Sequence, residues 1–192
     1  MATLNTTNIK HASSSSNNIV LAADGSTTIS NLSGGVGKIL QVVQTVKTDV
    51  FSQSVGQGTF TNAILSATIT PTSSSNKILV IASLSISMNN DNRCGLGIFR
   101  GGSIISGATG DADNSNNRVA VSSFLSSVSY QVNMNVNFLD SPSTTSATTY
   151  DIRGTHGRNS TATFYVGRES TTATSSDRMR SAQFLTLMEV AA

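Results

Sequence analysis

Tryptophan is absent from the 192-residue chain, and cysteine occurs once, at Cys94. With one thiol no disulfide can close within the chain, and the single Cys fits synthesis in a reducing cytosol. Without Trp there is no indole platform for stacking on a sugar. Charge is scarce as well. Charged residues make up 11% of the sequence, less than half the usual share. The net charge is +2, and the densest basic cluster is Arg178-Met179-Arg180, which argues against nucleic acid as a partner because phosphate binding needs clustered Lys and Arg. No window approaches the roughly 20 apolar residues of a membrane helix. The start, Met1 to Thr7, lacks a basic stretch followed by an apolar run, so neither membrane insertion nor a signal peptide is expected. No Gly-x-Ser-x-Gly, P-loop or dinucleotide fingerprint is present.

What fills the gap is neutral polar side chains. Ser, Thr and Asn together number 73, against a hydrophobic content of 38%. Disorder needs low hydrophobicity combined with high net charge. Here the charge is low and short apolar runs recur, which favours a folded β protein. Low net charge also means little repulsion between copies, which suits a protein that assembles.

The clearest local pattern is Tyr130-Gln-Val-Asn-Met-Asn-Val-Asn-Phe138, a strict alternation of apolar and polar residues. Side chains alternate faces along a strand, so this segment reads as a strand with Tyr130, Val132, Met134, Val136 and Phe138 in a dry row and the Asn residues in a wet one. It ends at Leu139-Asp-Ser-Pro142, where Pro142 cannot donate to a ladder. Lys77–Met88 reads as the longest strand. Ile78, Val80, Ala82, Leu84, Ile86 and Met88 share one face; Leu79 and Ile81 lie on the other and give way to Ser83, Ser85 and Ser87, so the Leu79 end is expected to be covered on both sides. Further strands are expected at 39–46 (Leu40, Val42 and Val46 on one face, Ile39 and Val43 on the other), at 63–69, around Leu96–Phe99, at 119–125, from Tyr150, from Phe164 and at Phe184–Met188. Gly101-Gly102 between apolar runs signals a tight hairpin. With roughly eight to ten strands, turn residues between them and no helical crossover, the fold class is all-β: an antiparallel, jelly-roll-like β-sandwich.

Residues 1–37 differ and are expected to form an N-terminal stem or anchor, leaving 38–192 as the head domain. Ser13–Asn18 is flexible in composition. Ile19–Ala22 and Ser26–Ile29 flank Asp24-Gly25, a hairpin signal, and Gly34-Gly-Val-Gly37 reads as a hinge. A lone hairpin is marginal in water, so this segment needs a surface to pack on.

The search for chemistry assigns no catalytic, cofactor-binding or metal-binding residue. Asp111, Asp113 and Ser115 space oxygen ligands as a calcium loop does, but the glycine at the sixth place and the closing glutamate are missing, so the segment reads as a solvated loop tip. His11 and His156 are 145 positions apart and share no evident acidic neighbours. Asp140, Asp151, Glu169 and Glu189 could serve a glycosidase only if two of them faced each other across a cleft. Tyr130, Tyr150 and Tyr165 could meet a saccharide, although Tyr130 sits in the dry row. Cys94 reads as a small buried strand residue.

Three segments, Ile9–Gly25, Gly37–Thr48 and Phe138–Tyr150, together with the closing Phe184–Val190, resemble small structural proteins of marine tailed phages of the cyanophage or pelagiphage type. The resemblance implies a virion protein made in the host cytoplasm: a homotrimer with a short N-terminal stem that docks on other virion proteins and a β-sandwich head. It carries over no catalytic residue. The expected role is a tail-fibre or receptor-binding head that touches a host surface glycan or protein through the loops 107–117, 141–147 and 170–177. The alternative is a capsid decoration or connector protein anchored by residues 1–37, and the remote alternative is a glycan depolymerase. Apolar residues on second faces (Ile39 and Val43, Leu79 and Ile81, Leu185 and Leu187) exceed what one two-layer sandwich obviously buries, and such surface usually marks an interface. Asn133 and Asn135 are the wet-row residues expected at a subunit boundary.

Overall fold

The computed structural model describes residues 8–9, 12–13, 15, 19–21, 23, 27–29, 38–90, 92–127, 130–158, 160–171, 176 and 178–192. The chain divides into two compact units, Met1–Lys38 and Ile39–Ala192.

In the first unit, β1 (Asn8–Ile9), β2 (Ile19–Leu21) and β3 (Thr27–Ile29) form a small antiparallel sheet in that order. β2 and β3 pair as the hairpin signal requires, with Ile19 opposite Ile29. β1 adds Ile9 opposite Ile19, so three isoleucines share one row. The residues of the Asp24-Gly25 turn and the Gly34–Gly37 hinge lie outside the described residues.

The second unit contains β4 (Ile39–Lys47), β5 (Phe51–Val55), β6 (Leu65–Ile69), β7 (Lys77–Met88), β8 (Asn92–Arg100), β9 (Ser103–Ile104), β10 (Val121–Leu125), β11 (Val132–Asp140), β12 (Thr148–His156), β13 (Ala162–Val166) and β14 (Gln183–Val190). All pairs are antiparallel, and among the described residues the only helix is a single 3-10 turn at Ser106–Ala108. One sheet runs β10-β8-β12-β6, with β9 beside β8; the other runs β4-β14-β7-β13-β5, with β11 beside β7. The two pack face to face as a β-sandwich.

β7 organises the second sheet. β11 follows one of its edges from Ile78 to Ile86, so the other edge is shared: β14 takes residues 77–83 and β13 takes 86–88. Its even-numbered row, Ile78 to Met88, is buried throughout. Opposite lie Leu96 and Ile98 of β8, Tyr150 and Ile152 of β12, and Leu65, Ala67 and Ile69 of β6, with Phe164, Leu185, Leu187, Met134 and Val136 completing the core. Each large apolar side chain buried here contributes about 2 kcal/mol, which offsets the ordering of so many short strands. The hairpin between β8 and β9 turns on Gly101 and Gly102, both at positive φ (57° and 84°), which side chains with a Cβ rarely adopt.

Three expectations need correction. Tyr130 is not in the dry row. It precedes β11, its N–H bonded to the Ser127 carbonyl, and it is 60% exposed; the dry row runs from Val132 to Asp140 instead. On β4 and β14 the faces are exchanged: Val43, Leu185 and Leu187 point into the core, while Val42, Val46 and Phe184 face outward. Strand periodicity separates two faces but does not say which one meets the other sheet. At β7, the outer residues Leu79 and Ile81 are only half-buried, whereas Ser87 is fully buried because its hydroxyl donates to the Arg168 carbonyl.

The outer face of the β7 sheet is therefore divided. Val42, Met188, Leu79 and Leu139 stand in one row across four strands, and Val46 beside Phe184 starts another. Val42, Val46, Leu139 and Phe184 each keep 41% or more of their surface exposed, and Gln44, Thr186, Ile81 and Asn137 form the row between the two. Beyond them the face turns polar, with Ser83, Ser85, Asn133 and Asn135, and Ser83 Oγ donates to Asn133 Oδ1 (3.2 Å).

Candidate functional site

On the outer face of the other sheet the backbone carries little side chain. Gly95 and Gly97 of β8 alternate with the inward Cys94, Leu96 and Ile98. Two flanking segments lie against this face. The stretch 58–64 runs beside β12, with the N–H groups of Gly58, Thr61 and Ile64 donating to the carbonyls of His156, Gly154 and Ile152. The stretch 105–120 runs beside β8, where Ile105 and Ala120 donate to Ile98 and Leu96. Phe60 closes over Gly97 and stacks edge-on with Phe99 (centroids 5.0 Å apart). Val119 closes over Gly95, where a Cβ would come within 2.7 Å of Val119 Cγ1. Glycine at 95 is thus what lets the 105–120 segment descend onto the sheet.

Where these segments stop short, at the His156 end of β12, they leave a groove of about 740 Å³. Ser122, Gly95 and Thr155 stand side by side beneath it, Phe124 is paired with Arg93 next to them, and Gln57, Ser115, Asn116, Asn117, Val119 and Gly157 also line it. Phe124 is 58% exposed and lies under the Arg93 guanidinium, 5.9 Å from the ring centre. Arg93 has no carboxylate partner among the described residues, and no Asp or Glu lines the groove. Gln57 Nε2 and Asn117 Nδ2 donate to the carbonyls of Gly157 and His156 across 3.3 Å each, at the weak end of the range. Thr155 Oγ1 is enclosed and has no hydrogen-bond partner among the described residues. A buried hydroxyl left unpaired costs about 1–3 kcal/mol, so Thr155→Val is expected to leave chemical-denaturation stability unchanged or raise it by up to about 1 kcal/mol. A clear loss would mean that the hydroxyl already has a partner.

His156 and Cys94 also belong to the lining, but both are buried. His156 is buried and its Nε2 donates to the Val55 carbonyl (2.9 Å), since a carbonyl can only accept. Cys94 is buried against Met134 Sδ, and burial pushes its thiol up to about 11, so it is protonated and inert near neutrality.

The four carboxylates considered for glycosidase chemistry are each held in a separate structural cluster. Asp140 Oδ2 accepts from Arg100 Nη1 (2.6 Å) and from the buried Tyr150 hydroxyl (2.7 Å). Asp151 accepts from Ser66 Oγ and Arg153 Nη2. Glu169 pairs with Arg178. Glu189 accepts from Gln41, Thr72 and Asn76. Asp111 and Asp113 are exposed, and their oxygens take donors from the next residue along, Ala112 N–H and Asn114 Nδ2. Among the described residues no group of three His, Cys, Asp or Glu is placed to hold a metal. His11 lies outside the described residues.

Of the three loops expected to make recognition contacts, 107–117 and 141–147 lead to opposite ends of β12: the end of the first lines the groove at the His156 end, while the second leads into Thr148 at the other. Of 170–177, residues 172–175 and 177 lie outside the described set. Of the tyrosines, Tyr150 is fully buried and Tyr165 is half-buried beneath the Arg168 guanidinium (4.4 Å), so neither offers a free ring. Phe124, Arg93, Gln57 and Thr155 were not singled out by the sequence. Phe124 left one legible mark: it occupies the polar row Ser122, Phe124, Ser126 of a strand whose other row ends in buried Leu125. No protein-family model and no curated protein matches the chain.

Proposed function

We propose that the chain is a structural protein of a phage virion, a homotrimer whose sandwich is a tail-fibre or receptor-binding head. The observation that carries the assembly part is the outer face of the β7 sheet, where Val42, Met188, Leu79 and Leu139 cross four strands without a charge among them. An uncharged apolar face repeated in every copy is suited to closed association, because no like-charge repulsion opposes it. The resemblance of Ile9–Gly25, Gly37–Thr48 and Phe138–Tyr150 to marine phage proteins supports the virion setting. The groove beside Phe124 supports recognition, since loops on a rigid sandwich are the usual carriers of binding residues. The separate engagement of Asp140, Asp151, Glu169 and Glu189 favours a non-enzymatic role over a depolymerase.

A cryo-EM map of virions of a phage that encodes the protein tests this reading. Density of three sandwiches at the tip or side of the tail is the expected result. Density confined to the capsid surface would replace the fibre role with decoration, and virions without the protein would end the virion reading altogether.

A further inference from the structure

We infer that the groove beside Phe124 is a binding site for a carboxylated sugar, a uronic-acid unit of an acidic polysaccharide. The inference deepens the recognition part of the proposed function and rests on the groove rather than on the virion setting. Its charge points first. Arg93 is the one exposed ionisable side chain in the lining, and it has no carboxylate partner among the described residues. A guanidinium matches a carboxylate through two parallel, charge-assisted N–H···O bonds, whereas a neutral sugar offers it only hydroxyl acceptors. An inorganic phosphate would call for several cations or a nest of backbone N–H groups, whereas the rest of this lining is amide, hydroxyl and hydrocarbon.

The remaining lining fits a sugar ring. Phe124, more than half exposed beside the guanidinium, gives a flat apolar surface for the C–H face of a pyranose, which gains free energy when that face leaves water. Asn116, Asn117 and Gln57 each present donors and an acceptor, the combination that vicinal hydroxyls need. The two long bonds that Gln57 and Asn117 make to backbone carbonyls are weak enough to be exchanged for ligand hydroxyls. About 740 Å³ is within the range of small-molecule sites and leaves room for more than one ring.

The test uses the full-length protein in titration calorimetry with oligomers of galacturonate, glucuronate, mannuronate and guluronate, each beside the neutral hexose oligomer of the same linkage. At least one uronate oligomer is expected to bind saturably, at least about tenfold more tightly than its neutral counterpart and more weakly as salt rises. The matching uronate monosaccharide separates a site for one unit from a site that needs the polymer. Arg93→Gln should lower affinity at least about tenfold and erase the preference for the acid. Phe124→Ser should weaken acid and neutral oligomers alike. Both side chains are exposed, so unchanged melting curves confirm that folding is intact. Equal binding of acid and neutral oligomers, no saturation up to about 10 mM for any of the four, or an Arg93→Gln variant that binds as before would overturn the assignment. Failure of the virion map leaves this result untouched, and failure here leaves the virion map untouched.

Discussion

Replacing Glu189 with alanine is expected to lower the stability of the sandwich by about 2–3 kcal/mol, the largest effect on stability foreseen for this chain. The carboxylate has no exposed surface and accepts from Gln41 Nε2 (2.6 Å), the Thr72 N–H and hydroxyl (2.7 Å each) and Asn76 Nδ2 (2.6 Å). These donors come from β4 and from the 70–76 loop, so one side chain near the end of β14 ties an edge strand and a loop to the sheet. Removing it takes the acceptor from the Thr72 N–H and hydroxyl, while Gln41 Nε2 keeps the Thr70 carbonyl and Asn76 Nδ2 keeps Thr72 Oγ1. The melting temperature should fall by about 4–12 °C for a chain of this size. The same cluster sets a pH dependence. Burial pushes the Glu189 pKa up, but the bonds from Asn76, Gln41 and Thr72 outweigh it and hold the folded-state value down at about 2, against 4.5 unfolded. A depressed carboxylate stabilises above its unfolded pKa and loses that contribution as pH falls through the folded one. Stability is therefore expected to fall between about pH 4.5 and pH 2, and Glu189→Gln should flatten that part of the curve. Parallel pH profiles for the two proteins would show that the acid sensitivity comes from elsewhere.

The second large effect concerns association. Val42→Asp is expected to convert a three-chain particle into single chains, read as a threefold fall in mass by light scattering or sedimentation. Val42 is 55% exposed in one chain, so an aspartate there barely disturbs folding, and the melting curve should shift by no more than about 0.5 kcal/mol equivalent. In a closed assembly the same aspartate would be buried without a partner, at a cost of several kcal/mol for each copy. Phe184→Asp, two rows along on the same face, should act alike, whereas Val42→Thr should leave the particle intact. If the unaltered chain already runs as a monomer at about 100 µM, or if Val42→Asp leaves the mass unchanged, this face is not where copies meet.

Most of the architecture was legible because strand signals are local. The twelve residues of β7 show their period-two row directly, and the core row from Ile78 to Met88 could be named from it. Gly101-Gly102 announced its hairpin because positive φ at two successive positions restricts the choice of residues. β11 was displaced by two residues at its start because a terminal residue such as Tyr130 can satisfy the pattern without entering the ladder. Cys94 is buried, as its residue type leads one to expect, because a free thiol behaves as a small hydrophobe.

The candidate site was mostly illegible. Its pieces lie at positions 57, 93, 115–117, 122–124 and 155, and they meet only because β8 pairs with both β10 and β12, with Gly95 opposite Ser122 and Thr155. Nothing in the linear order of Gln57 and Phe124 says that they will share a groove. The same holds for Glu189, which the sequence offered as a loose carboxylate and which the packing encloses among donors from two distant segments.

Composition and periodicity alone settled that this chain folds as antiparallel strands with a neutral, hydroxyl-rich surface, since alternation, turn residues and low charge are properties of neighbours along the chain. Which face of β4 and β14 is dry, where the apolar patch emerges, and that Arg93 and Phe124 stand over a groove were decided by the pairing of the sheets. Two-residue periodicity splits a strand into two faces with equal right to the core, and only the opposing sheet chooses between them.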